Sequence, residues 1–78
     1  MAAQDDEEDI ETQLRVYVRF NPGAGDTAVG IASFWLRMQP TPQNIAKVER
    51  ILARLEAEGL LRSRDLAGTK YWFAAGDP

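Results

Sequence analysis

The chain has 78 residues, one domain near the lower size at which a fold holds without a staple, since about 60 residues bury only about 60% of their unfolded surface. It contains no Cys and no His, which excludes disulfides, thiolate and imidazole metal sites, and the commonest general base. The net charge of −3 is unevenly placed: Asp5, Asp6, Glu7, Glu8, Asp9 and Glu11 put six negative charges in residues 1–11, and the rest of the chain sets nine Lys and Arg against six acids, a balance of +3.

Residues 1–10 are acidic and poor in large apolar groups, so they are expected to form a disordered tail ahead of a domain spanning 11–76. Simple solubility would explain such a run; the sharper reading is an electrostatic competitor for the domain's own basic face. The start of the chain shows no basic stretch followed by an apolar run, so no secretory signal is expected and the chain is expected to be cytoplasmic. No apolar run approaches the ~20 residues that span a bilayer.

Residues 10–20 read two ways. Ile10, Leu14, Tyr17 and Val18 share one face of a helix, while Leu14, Val16, Val18 and Phe20 alternate as in a half-buried strand. Asn21-Pro22-Gly23-Ala24-Gly25 breaks the element. Asp26 or Thr27 can then cap a second helix running to Leu36, weakened at Gly30 by roughly 1 kcal/mol relative to Ala. Thr41 as N-cap, Pro42 at the first helical position and a stripe of Ile45, Val48, Ile51, Leu52 and Leu55 predict a third helix over 42–58, stopped by Gly59. Residues 60–64 and 70–74 are strand-like, with turn residues 65–69 between them, so a two-stranded hairpin is expected. The last residues, 75–78, are expected to fray.

The polar side of the third helix is patterned. Gln43, Lys47, Arg50 and Arg54 recur at i, i+4, i+7 and i+11, forming a basic ribbon along one edge, with Glu49 and Glu56 on another flank. A helix fits the major groove of DNA, where Gln and Asn read adenine and Arg and Lys read guanine. The plain alternative is a solvated face partly occupied by an Arg54–Glu58 pair. Arg62, Arg64 and Lys70 add cations on the hairpin, suited to phosphates or to guarding a sheet edge. Tyr71, Trp72 and Phe73 suggest either base stacking or core, and core is the commoner role in so small a domain.

A helix ending Leu55-Glu56-Ala57-Glu58-Gly59-Leu60-Leu61-Arg62, followed by a hairpin closing on Lys70-Tyr71-Trp72-Phe73, resembles the winged helix-turn-helix family. It is particularly similar to the small bacterial regulators of fimbrial operons (the PapI/FaeA type), and Thr27-Ala28 and Ile31-Ala32 resemble the start of that family's second helix. The resemblance spans 12–76 and is close over 55–74. It implies an α+β fold of three helices, at 11–20, 27–36 and 42–58, followed by a two-stranded wing at 60–74. It further implies a transcriptional regulator of bacterial or phage origin that binds double-stranded DNA. The recognition helix would use Thr41, Gln43, Asn44, Lys47, Arg50 and Arg54, and the wing Arg62, Arg64 and Lys70. Two departures stand out: a turn at Leu36–Thr41 that is longer than in the family, and the acidic tail.

The small excess of positive charge implies a second copy or a partner regulator to complete a half-site pair. No catalytic group, cofactor, metal site or small-molecule substrate is expected. Ser33 and Ser63 have no evident base, the acidic tail lacks the spacing of a calcium loop, and Gly23-Ala24-Gly25 is only a fragment of a phosphate loop. An alternative function is a winged-helix module for protein–protein interaction without DNA binding, favoured by the acidic tail and by the long turn, where Trp35 or Met38 is expected to be exposed.

Overall fold

A computed structural model describes residues 3–75. Helix α1 spans Ala3–Phe20, and strand β1 spans Gly25–Thr27. Helix α2 begins as an α-helical turn, Ala28–Gly30, and continues in the wider π geometry over Ile31–Trp35. Helix α3 covers Pro42–Ala57. Strands β2, Leu61–Leu66, and β3, Thr69–Ala74, complete an antiparallel sheet of order β1-β3-β2. The chain is α+β.

The ambiguous first element is helix because its helical stripe is the one that gets buried. Ile10, Leu14 and Val18, at i, i+4 and i+8, lie in the core, while Val16 and Phe20 of the alternating pattern are exposed. Asn21 closes the helix by donating its side-chain amide to the Tyr17 carbonyl at 2.9 Å. Over the acidic run, where a disordered tail was expected, the chain is helical from Ala3, and Ile10 is buried. Residues 1–2 of that expected tail, and 76–78 of the expected fray, lie outside the described residues. Ala75 is held, its N–H donating to the Leu60 carbonyl at 3.1 Å.

Helix α3 forms as its end signals dictate. The Thr41 hydroxyl accepts the Asn44 N–H at 3.1 Å, and Pro42 opens the first turn. At the other end Gly59 takes φ +88, its N–H bonds to the Glu56 carbonyl, and the Leu60 N–H bonds to the Leu55 carbonyl, both at 3.0 Å. These two bonds make a complete Schellman stop. Val48, Ile51, Leu52 and Leu55 are buried against the α1 stripe, Ala28, Ile31, Ala32 and Leu36 of the second helical segment, and Leu61 and Trp72 of the sheet.

The expected two-stranded hairpin has a third strand. Gly25, Asp26 and Thr27 pair with Phe73, Trp72 and Tyr71. Gly25 is required there because a Cβ would collide with the Phe73 ring. The strands also run further into the tip than expected, leaving a two-residue turn, Ala67-Gly68, with φ of 53 and 85. Positive φ at both positions is the type I′ geometry that suits the twist of a hairpin.

Candidate nucleic-acid interface

The proposed contacts do not form one surface. On α3, the ribbon Gln43, Lys47, Arg50 and Arg54 borders the edge that faces α1, and α1 supplies carboxylates to it. Arg50 Nη2 lies 2.8 Å from Glu7 Oε2, and Arg54 Nη2 lies 3.0 Å from Glu11 Oε1. One turn further on the signs reverse, with Arg15 Nη2 2.7 Å from Glu58 Oε1 and also 2.7 Å from Glu11 Oε2. The partners 7 and 50, 11 and 54, and 15 and 58 are each separated by 43 positions. A constant offset at four-residue steps means that α1 and α3 run side by side in the same direction, with three successive rungs between them.

The electrostatics follow the geometry. The Glu7 carboxyl is held below its ordinary value of 4.5, chiefly by the Arg50 hydrogen bond, with Arg50, Arg54 and Lys47 adding their charge. The Glu11 carboxyl is likewise lowered, first by Arg15 and then by Arg54. Arg15 is raised in turn by Glu11 and Glu58. The expected Arg54–Glu58 pair within α3 is therefore replaced by two pairs to α1. Leaving those carboxylates in place, a polyanion approaching α3 meets a ribbon that is already partly neutralised.

Other expected contacts fare differently. Gln43 is exposed at the start of α3. Asn44 is turned back on the chain, its side-chain amide donating to the Gln39 carbonyl at 2.8 Å, so it holds the long turn together. Thr41 is occupied as the N-cap, and Lys47 is half-buried. In that turn Arg37 sits at φ 57, a left-handed position reached as the π-helical segment unwinds. Trp35 and Met38 are not the exposed groups that the sequence suggested. Trp35 stacks on Tyr17 with centroids 4.4 Å apart, and Met38 packs against the core.

The sheet divides the hairpin cations between two faces. Leu61, Ser63, Trp72 and Ala74 face inward, and alternation puts Arg62, Arg64, Tyr71 and Phe73 on the outer face. Arg62 stands opposite Phe73, and Arg64 opposite Tyr71. Lys70 lies on the inner side near the tip, with Nζ 5.3 Å from the centre of the Trp72 ring, a cation–π contact. One residue that sequence reasoning missed fixes the hairpin to α3. Glu56 Oε2 accepts both the Ser63 N–H at 3.1 Å and the Ser63 hydroxyl at 2.7 Å. Only the distance of seven residues across a helix stop hinted at that pairing.

Among the described residues no helix is long and apolar enough to cross a membrane. No protein-family model, curated protein or solved structure matches the chain.

Proposed function

We propose that the chain is a winged helix-turn-helix DNA-binding regulator of bacterial or phage transcription, with α3 as the recognition helix. The observation that carries this reading is the basic edge of α3, a long and firmly capped helix whose arginines already bind anions supplied by α1. Polar side chains on one edge of such a helix, here exposed Gln43 and Arg50 with half-buried Lys47 between them, can enter a major groove. The order of three helices followed by a hairpin supports the assignment of the fold family, and β1 adds a third strand to the wing. Glu7 and Glu11 hold Arg50 and Arg54 in a covered state that duplex phosphates displace.

Titration with duplex DNA at low and moderate salt tests this. A salt-dependent complex is expected, weakened about tenfold by Lys47→Ala combined with Arg50→Ala, with the salt slope falling by about 2. The absence of any complex at low salt, or a complex indifferent to the double substitution, would overturn the reading. A second reading, a protein-interaction module, is favoured by Phe20 and Phe34, each 74% exposed. Large exposed apolar groups suit a protein partner better than a phosphate backbone.

A further inference from the structure

We infer that the outer face of the sheet binds single-stranded nucleic acid, with unpaired bases stacking on Tyr71 and Phe73 and phosphates meeting Arg62 and Arg64. This surface is separate from the basic edge of α3, and the inference does not depend on what α3 binds. Tyr71 and Phe73 lie two residues apart on one strand, with ring centres 6.5 Å apart and planes within 25° of each other. Phe73 lies across β1 at Gly25, where the missing side chain leaves room for the ring against the backbone. Tyr71 and Phe73 are half-buried, and two near-parallel rings on one face of a sheet offer the kind of aromatic surface on which bases stack.

The cations complete it. Arg62 and Arg64 are exposed, stand directly across from the two rings, and form no hydrogen bond or ion pair among the described residues. In a chain of net charge −3, two arginines with no anionic partner among the described residues, beside two rings, form a site complementary in charge and chemistry to a nucleotide strand. Guarding the β2 edge would explain the arginines but not the rings. An acidic peptide would use the arginines but leave the rings without a flat partner. A duplex keeps its bases stacked on one another, so its phosphates could meet the arginines while its bases could not reach the rings.

Titrating the full chain with a short oligothymidylate, followed by NMR, tests the site. Upfield shifts of the Tyr71 and Phe73 ring protons are expected to saturate with the oligonucleotide. Tyr71→Leu is expected to weaken binding about 5- to 150-fold. Arg62→Gln with Arg64→Gln, exposed changes that leave the packed face intact, is expected to weaken it and flatten its salt dependence. Lys47→Ala with Arg50→Ala is expected to leave it unchanged, which separates this site from α3. The inference fails if the ring resonances do not move, or if neither the Tyr71 nor the arginine substitutions alter affinity. It also fails if polyglutamate or a duplex of the same length occupies this face as tightly.

Discussion

Arg50 and Arg54 on α3 and Arg62 and Arg64 on β2 are the same residue type, all exposed, yet their surroundings differ. The α3 pair meets Glu7 and Glu11 of the parallel helix α1. The β2 pair stands across the strand from Phe73 and Tyr71 and, among the described residues, pairs with no anion. Net charge therefore says little about where this chain can hold a polyanion; the placement of its acids decides it. Exposed ion pairs are individually weak and are screened by salt, so the cover on α3 is one that a multivalent anion can displace.

Glu56 links the two surfaces by joining α3 to β2. Glu56→Ala removes an acceptor that serves both donors of Ser63. A loss of about 2 kcal/mol in chemical denaturation is expected, from hydrogen bonds to a charged acceptor in a half-buried position. Faster amide exchange is expected in β2 and β3 than in α1. Equal loosening of both regions would mean that the hairpin is held by core packing alone.

Acid should erase the difference between the two regions by a smaller effect. Glu7 and Glu11 have carboxyl pKa values lowered in the folded chain, so their contribution to stability is complete above the ordinary value of 4.5 and is lost as pH falls below it. The denaturation midpoint of the native sequence is expected to drop through that range more steeply than that of Glu7→Gln with Glu11→Gln. The two curves should converge once the carboxylates are protonated. Parallel curves would show that the rungs add nothing to the folded state.

What the residues disclosed in advance depended on the range of the interactions. Thr41, Pro42, the apolar stripe and Gly59 act within a few positions, and they placed α3 within one residue of its observed end. The hairpin was visible for the same reason. Strand β1 was not, because three residues cannot display a period and its partner lies about 45 positions away. The acidic run looked too polar to order itself, and its helix is tied to arginines 43 positions along the chain. Among the expected contacts, Arg50 and Arg54 were found on one edge as the helical spacing implied. The Asn44 amide donates to the Gln39 carbonyl, a turn geometry that spacing cannot reveal. The three aromatics split as strand alternation requires, Trp72 inward and its two neighbours outward.

Deleting the acidic segment would also remove the buried Ile10, so the central claim is tested by removing charge and leaving the helix in place. Duplex affinity of Glu7→Gln with Glu11→Gln should be measured against the native sequence across a salt series, with thermal melting as the check on folding. Uncovering Arg50 and Arg54 is expected to tighten binding roughly tenfold at low salt, with the gain shrinking as salt rises. Unchanged or weaker binding by the folded double variant would contradict the account, because the carboxylates of α1 would then not be competing for the arginines of α3.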